Sequence, residues 1–245
     1  MRSVIIVALL AGAALLPAQP PAEKKAEAPL NEARVVERVN AATDRALAYL
    51  EKKQAKDGSW NTGNNAINSL AVLAFLSRGH VPGRGKYGDT VGEGGAVRPG
   101  VLSMAKKYLI STQAGPGPTE GYMANTGGSM YAHGLSTLAL VELYGQDPDP
   151  ELEKATRKAV DCILRSQGPV GGWNYAPSPQ DGDLSVSVMQ IVAMRAARNA
   201  EIPVPDAAIK KAIAYLKGKA NPGGPGYGYA GPGAGTCQTS AAGCL

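Results

Sequence analysis

The sequence is poor in aromatic residues, cysteines and histidines. Of its 245 residues 5% are aromatic, with a single Phe, and there are three Cys and two His. Three cysteines are too few for a disulfide scaffold, and two helical turns would put Cys237 and Cys244 beyond disulfide reach. The hydrophobic content of 44% is enough to build a sizeable core. This composition excludes a disulfide-rich minidomain and a disordered chain.

The sequence also lacks a long hydrophobic run. The longest covers 13 residues, Val4 to Leu16, and stands between Arg2 and a small-residue region at Pro17-Ala18. A membrane-spanning helix needs roughly 18 apolar residues or more. The pattern is typical of a secretory signal peptide. We expect a signal peptide over residues 1–18, a flexible linker over 19–34, and an exported protein, periplasmic or secreted, with no stable membrane span after cleavage.

The formal net charge of +5 is not concentrated in one segment. Lysine pairs occur at residues 52–53, 106–107 and 210–211, on helices that the pattern places at the surface. Basic residues spread in this way indicate a solvated face. No nucleic-acid motif is present in the sequence, and we expect no nucleic-acid partner.

An internal repeat is the main signal. Four similar segments align at Leu50, Leu109, Ile163 and Leu216, in steps of 59, 54 and 53 residues. Three of these segments end at a glutamine: Gln54, Gln113 and Gln167. Each segment is followed by glycine and an aromatic residue: Gly58 with Trp60, Gly121 with Tyr122, Gly172 with Trp173, and Gly226 with Tyr227. We expect these residues to be structural, the glycines forming turns and the aromatics closing helical hairpins.

A second helix follows each glycine-aromatic turn. The apolar spacing predicts such helices over residues 68–78, 131–144 and 184–199, and a fourth that begins at Gln238. These second helices are apolar nearly all round, whereas the first helices carry a charged face. The second helices are therefore expected inside and the first outside. The prediction is an all-α fold of about seven helices plus the start of an eighth.

Two of the turns carry a family resemblance. The segments from Gln54 to Trp60 and from Gln167 to Trp173 resemble the Gln-to-Trp repeat of squalene and hopene cyclases, which is related to the repeats of protein prenyltransferase beta subunits. The resemblance covers about residues 35–245. It implies one repeat domain over 35–245, forming a partial α/α toroid around a central cavity and incomplete at its C-terminal end.

The resemblance also implies an acidic motif, Asp-x-Asp-Asp, that protonates a polyprene. The nearest match, Asp181-Gly-Asp183, lacks the final Asp. Asp183 also suits the N-cap of the helix that follows it, so a capping role and a catalytic or ligand-binding role both stay open. Few aromatics lie on the inner helices, too few to guide a carbocation. The candidates for a cavity or ligand site are Asp181, Asp183, His133, Tyr131 and Phe75.

The zinc motif of prenyltransferases has Asp and Cys separated by one residue, whereas Asp161 and Cys162 are adjacent here. His133, Asp183 and Cys237 fall near the starts of successive inner helices and form another zinc-type set, but no short ligand pair anchors it. We expect no metal and no cofactor.

Three classes of function remain. The favoured one is a non-catalytic scaffold outside the cytoplasm that binds an apolar small molecule, a lipid or a protein partner, because the repeat is intact and the catalytic motifs are not. The alternative is a terpenoid-cyclase-like or prenyl-handling enzyme with Asp183 as acid and His133 as helper. The third is an assembly protein whose open helical edge pairs with another chain, including a second copy.

Overall fold

The structure, a computed structural model, describes residues 32–126, 128–229, 231–233 and 235–236. These residues form seven α-helices and confirm the all-α prediction: α1 Glu32–Lys53, α2 Asn65–Leu76, α3 Val101–Ser111, α4 Met130–Gln146, α5 Pro150–Arg165, α6 Leu184–Asn199 and α7 Asp206–Lys217. The predicted signal peptide, most of the predicted linker, and the helix expected from Gln238, with Cys237 and Cys244, lie outside the described residues.

Helices α1 and α2 start earlier than the sequence pattern indicates, whereas α6 begins at Leu184 as predicted. Helix α1 begins at Glu32, inside the predicted linker, with an acidic residue in its first turn that favours a helix N-terminus. Helix α2 begins at Asn65 because the side chain of Asn64 caps it by accepting a hydrogen bond from the amide of Ala66. For α2, the capping residue therefore sets the boundary three residues before the apolar pattern begins.

The boundary between two compact units falls inside α1, between Ala42 and Thr43. The described part of the first unit, residues 32–42, is the exposed N-terminal half of α1. The second unit holds the remainder of α1 and all the other helices.

Helices α2, α4 and α6 pack side by side in chain order, and α4 lies between the other two. Most side chains of α4 are buried, as expected for a helix that is apolar nearly all round. Gly134 permits its close approach to α6, since a Cβ there would lie 2.7 Å from Gln190 Nε2. Side-chain oxygens of Asn64, Ser129 and Asp183 cap the three helices. These three helices form the buried layer of the second unit.

The odd-numbered helices α3, α5 and α7 pack against the buried layer and present one charged face. Helix α5 shows the pattern most clearly: Asp149 caps it and Pro150 stands at its first position, where a missing N–H costs nothing. One face of α5 is buried and contributes Leu152, Ala155, Ala159, Val160 and Ile163 to the core. The predicted order of first, amphipathic helices and second, buried helices thus matches the observed burial.

Residues 77–100 form an insertion between α2 and α3 that the repeat pattern does not predict. It contains a two-stranded antiparallel hairpin, β1 Thr90–Val91 and β2 Val97–Arg98. The insertion is anchored by Tyr87, whose ring is buried 4.9 Å from the Phe75 ring centroid. On the hairpin, Val91 and Val97 pair with each other and are 72% and 62% exposed.

Candidate functional site

The three repeat glutamines make the same kind of contact. The Nε2 of Gln54 donates hydrogen bonds to the carbonyls of Gly58, at 3.0 Å, and Val101, at 2.9 Å. Gln113 donates in the same way to Gly121 and Ala155, and Gln167 to Gly171 and Ala208. Each glutamine thus ties the turn after its own helix to the next odd-numbered helix. These side chains are occupied by backbone carbonyls and hold the turns in place.

The turn glycines cannot be replaced without strain. Gly58, Gly121 and Gly171 have φ angles of 93°, 87° and 99°. A Cβ on any of them would lie 2.1–2.3 Å from a carbonyl oxygen of the next odd-numbered helix. The third turn therefore depends on Gly171, whereas the sequence pattern pointed to Gly172.

The repeat aromatics differ in burial. Trp173 is fully buried, and its Nε1 donates to the carbonyl of Ile163 at 2.8 Å. Trp60 makes the equivalent bond to Leu50 at 2.7 Å but is only partly buried. Tyr122 and Tyr227 are also partly buried, and Tyr227 forms an isolated bridge with Ala220. All four lie in the segments that directly follow the odd-numbered helices α1, α3, α5 and α7.

At the start of α2 a network of asparagines fills the space between neighbouring connections. The Oδ1 of Asn68 accepts from the amides of Trp60 and Asn61, at 2.8 and 3.0 Å. The Nδ2 of Asn125 donates to Asn65 Oδ1 at 3.1 Å, and Asn125 adopts a positive φ of 60° to do so. These amides bond mainly with one another and with the backbone, which is a structural arrangement.

His133 is sealed inside the protein near the start of α4. It is fully buried, its Nδ1 accepts from the amide of Met123 at 3.2 Å, and its Nε2 lies 3.2 Å from the carbonyl of Ala159. This pairing requires the neutral tautomer with the proton on Nε2. Burial lowers the pKa of His133 to about 4. Both nitrogens are engaged by the backbone, so the structure gives His133 a structural position instead of one beside Asp183.

The two predicted cavity aromatics occupy different environments. Phe75 is completely buried in the core, with its ring centroid 6.3 Å from that of Trp60, so it is not open to solvent. Tyr131, on the first turn of α4, is 37% exposed. Of the pair, only Tyr131 remains accessible.

Asp183 is the N-cap of α6 and the centre of a polar cluster. Its Oδ1 accepts from the hydroxyl of Ser185 at 2.7 Å and from the amide of Val186 at 3.1 Å. Its Oδ2 accepts from the hydroxyl of Tyr175 at 3.4 Å and from that of Tyr229. The sequence left a capping and a ligand-binding role open, and the cap is present in the structure.

The hydrogen bonds keep this carboxyl ionised. Burial raises the pKa of Asp183, but the bonds from Ser185, Tyr229 and the Val186 amide outweigh it, and the net effect lowers the pKa below its usual value. The bond that Tyr229 donates to Asp183 raises the pKa of Tyr229 to about 12. At neutral pH Asp183 is therefore a carboxylate, and the phenol of Tyr229 is neutral.

A third tyrosine packs against the backbone just before Asp183. Tyr215 of α7 is 6% exposed, and its hydroxyl is buried with no hydrogen-bond partner in the described part of the chain. Its ring fits against Gly172 and Gly182, where an added Cβ would lie 2.7–2.8 Å from ring atoms. We call Tyr175, Asp183, Tyr215 and Tyr229 the Asp183 cluster.

Asp181 stands beside the cluster without joining it. Its side chain is exposed, and its carbonyl accepts from Asn174 Nδ2 at 2.8 Å. It borders a pocket of about 470 Å³ together with Tyr215 and Lys219, whose ammonium lies 5.1 Å from the Tyr215 ring centroid.

Sequence reasoning missed Tyr175 and Tyr229. Each lies two positions after a repeat aromatic, Tyr175 after Trp173 and Tyr229 after Tyr227. That shared offset is a signal in the sequence that could have selected them.

A shallow groove runs between α4 and α6. It has a volume of about 310 Å³ and is lined by Leu138, Glu142, Ile191, Val192, Arg195, Ala196 and Asn199. Four of these residues are apolar, and Glu142 and Arg195 supply opposite charges. Neither charged side chain has a partner among the residues that the structure describes. We call this feature the α4–α6 groove.

The fold and these contacts define an all-α protein of paired helices with buried, capped second helices. Compared with models of known protein families, the chain matches none, and no curated protein matches it significantly. Within the described ranges, no cluster of three or more His, Cys, Asp or Glu side chains is suited to a metal ion. No helix of the described residues has the length and apolarity needed to cross a membrane.

Proposed function

We propose that the chain is an exported binding scaffold, a partial α/α toroid of helical-hairpin repeats, whose α4–α6 groove holds an apolar small molecule or lipid. The groove is the observation that carries the proposal. Its apolar lining includes Leu138, Ile191 and Val192, and Glu142 and Arg195 are its two charged lining residues. Apolar concave surfaces with a few polar groups are the usual form of small-molecule sites.

The recurring turn contacts support the repeat architecture. In three successive connections a glutamine amide bonds a turn carbonyl and a carbonyl of the next odd-numbered helix, and a glycine with positive φ lies against that helix. Units that each cover their neighbour are the basis of solenoid and toroid folds.

The two charged residues of the groove suit a ligand with one polar end. Because Glu142 and Arg195 have no partner in the described part of the chain, either can bond a ligand without first breaking an internal ion pair. An apolar tail along the apolar lining and a polar head at Glu142 or Arg195 is the arrangement of a fatty acid or isoprenoid alcohol. The hydrophobic contribution would come from area removed from water, about 25 cal/mol per Å².

The enzyme alternative needs a protonated acid, and the geometry at Asp183 disfavours it. A general acid at neutral pH requires a raised pKa, whereas hydrogen bonds lower the pKa of Asp183. His133 is also engaged on both nitrogens by the backbone. These observations favour binding over acid-initiated cyclisation.

Export rests on residues 1–18 alone. We expect the mature chain to begin near residue 19, and N-terminal sequencing of the protein recovered from the periplasm or medium checks this.

Titration of the mature protein with a fluorescent fatty acid tests the groove. Leu138→Gln and Val192→Gln are expected to weaken binding at least about tenfold, which corresponds to about 1.4 kcal/mol. Both side chains are partly exposed, so thermal melts should remain close to wild type. The matched control is Val91→Gln, an exposed valine on the β1–β2 hairpin outside the groove.

Equal affinities for all three variants would show that the probe binds elsewhere. Native mass spectrometry of the purified protein provides a second readout. If no apolar molecule is retained and the probe does not bind, the groove is left to a protein partner and the proposal fails.

A further inference from the structure

We propose that the Asp183 cluster binds a quaternary ammonium group, the cation found in choline and betaine. The site lies at the start of α6 and shares no residue with the α4–α6 groove, so it stands independently of the function proposed above.

The hydrogen-bonding capacity of the Asp183 carboxylate is already in use. A carboxylate offers about four lone-pair positions. In Asp183 four donors occupy them: the Ser185 hydroxyl, the Val186 amide, and the hydroxyls of Tyr175 and Tyr229. A ligand that must donate a hydrogen bond, such as a sugar hydroxyl, therefore finds no free acceptor on this group.

The negative charge of the Asp183 carboxylate is the second feature of the site. All four donors are neutral groups, so Asp183 takes its hydrogen bonds without forming an ion pair. No Lys, Arg or His side chain in the described part of the chain forms an ion pair with Asp183. The lowered pKa of Asp183 keeps this charge in place at neutral pH. The site therefore offers a cation a negative charge whose own oxygen positions are already occupied.

The rings of Tyr175 and Tyr229 are the third feature of the site. With their hydroxyls directed to Asp183 Oδ2, Tyr175 and Tyr229 are still 52% and 49% exposed. Neither ring stacks on another aromatic within the described ranges. Ring faces attract cations, and their pull is strongest where the cation is poorly hydrated. Two open rings beside an unneutralised carboxylate form the elements of an aromatic cage.

The neighbouring Tyr215 shows the same preference inside the protein. The Lys219 ammonium lies 5.1 Å from the centroid of its ring, a cation–π contact at the edge of the cluster. The hydroxyl of Tyr215 is buried without a partner among the described residues, and its ring packs against Gly172 and Gly182.

These three features select a quaternary cation over a primary one. A primary ammonium or a guanidinium loses water on binding and needs acceptors to replace it, and the filled carboxylate supplies none. A quaternary ammonium has no N–H, and it is recognised by charge and ring faces alone.

Titration of the full mature chain with choline, followed by NMR, tests the proposal. We expect chemical-shift changes for the tyrosine rings, and binding at least about tenfold weaker for ethanolamine, a primary ammonium. The neutral isostere of choline, 3,3-dimethyl-1-butanol, should bind at least about tenfold more weakly as well. Equal binding of either compound overturns the proposal.

Three variants distinguish charge from shape. Asp183→Asn keeps a good N-cap and removes the charge, and it should weaken choline binding at least about tenfold. Tyr175→Ala should weaken it about fivefold, whereas Tyr175→Phe keeps the ring face and should stay within about twofold of wild type. Unchanged binding in Asp183→Asn, or an equal loss in Tyr175→Phe and Tyr175→Ala, contradicts the cage.

A vesicle arm identifies the source of the cation. Co-sedimentation with phosphatidylcholine vesicles and not with phosphatidylglycerol vesicles, in addition to choline binding, assigns the site to a lipid headgroup. Choline binding without sedimentation assigns it to a small solute. Absence of both kinds of binding sinks the proposal.

Discussion

The connection from α3 to α4 and the connection from α5 to α6 share one outer framework and enclose different chemistry. In both, a glutamine amide and a glycine fix the turn to the next odd-numbered helix. The first closes around His133, which is fully buried and bonded only to backbone. The second opens at Asp183, whose carboxylate meets two half-exposed tyrosines.

The difference shows where variation is tolerated. The glutamine and glycine contacts involve backbone carbonyls of a neighbouring helix, so a change there disturbs two helices at once. The residues at the starts of the buried helices differ: His133 bonds to backbone groups, whereas Asp183 bonds to three side-chain hydroxyls and one amide. Function can therefore diverge at the helix starts while the framework is kept.

The largest effect separating the two connections is expected from their aromatic residues. Trp173→Ala should cost about 4 kcal/mol of unfolding free energy, because the side chain is fully buried and its Nε1 bond is lost. Tyr122→Ala should cost about 2 kcal/mol, because Tyr122 is only partly buried. Urea denaturation of both variants measures the difference, and equal costs would contradict the comparison.

The next effect is pH dependence from His133. Its pKa falls from an ordinary 6.5 to about 4 in the folded state. Between these values the unfolded chain binds a proton that the folded chain does not. The free energy of unfolding should therefore decrease as the pH falls from about 6.5 to 4, by up to about 3 kcal/mol.

His133→Gln provides the control for that pH profile. Glutamine can accept from the Met123 amide and donate to the Ala159 carbonyl, as the neutral imidazole does, but it does not titrate. Its stability between pH 6.5 and 4 should change about 3 kcal/mol less than that of the wild type. A profile with the same slope as the wild type would show that another group is responsible.

Substitutions of the two turn glycines test whether the glutamine and glycine contacts are equivalent in the two connections. Gly121→Ala and Gly171→Ala should each cost about 2 kcal/mol, since both combine a positive φ with a Cβ position 2.1 or 2.2 Å from a helix carbonyl oxygen. Gly115→Ala is the control, because no atom lies within 4 Å of its Cβ position. A cost in one connection alone would show that the two turns are not equivalent.

Much of this framework follows from the sequence. Helical periodicity and the steps between Leu50, Leu109, Ile163 and Leu216 predict the alternation of amphipathic and buried helices, because both depend on local spacing. The helix starts were less accurate, since caps such as Asn64 lie before the apolar pattern. The insertion at residues 77–100 interrupts the repeat and has no periodic signal.

The candidate site was predictable only in part. Asp183 could be selected from its position before an apolar helix. Its partners Tyr175 and Tyr229 lie 8 and 46 residues away in sequence, so their convergence depends on how two connections pack. His133 and Phe75 were expected at a cavity, but burial removed both from solvent. A residue at a helix start can face a neighbouring helix as well as an opening, and sequence spacing does not distinguish the two.

The smallest effect on stability is expected at Asp183, and it is the most informative about function. Asp183 and Asp149 both cap a helix, but Asp149 also forms an ion pair with Lys106, with the Nζ and Oδ2 atoms 2.6 Å apart. Asn caps a helix as well as Asp, so Asp183→Asn should change the free energy of unfolding by less than about 0.5 kcal/mol at pH 7. Asp149→Asn loses its ion pair and should cost about 1 kcal/mol.

The pH dependence of stability in Asp183→Asn is a further measure of what the carboxylate contributes. A carboxyl with a lowered folded-state pKa stabilises the fold above its unfolded pKa, near 3.8, and this contribution is lost as the pH falls through the folded value. Asp183→Asn should therefore flatten the stability profile only below about pH 4, outside the window of His133. A loss well above about 0.5 kcal/mol at pH 7 in Asp183→Asn would show that the ionised carboxyl stabilises the fold beyond its role as a cap.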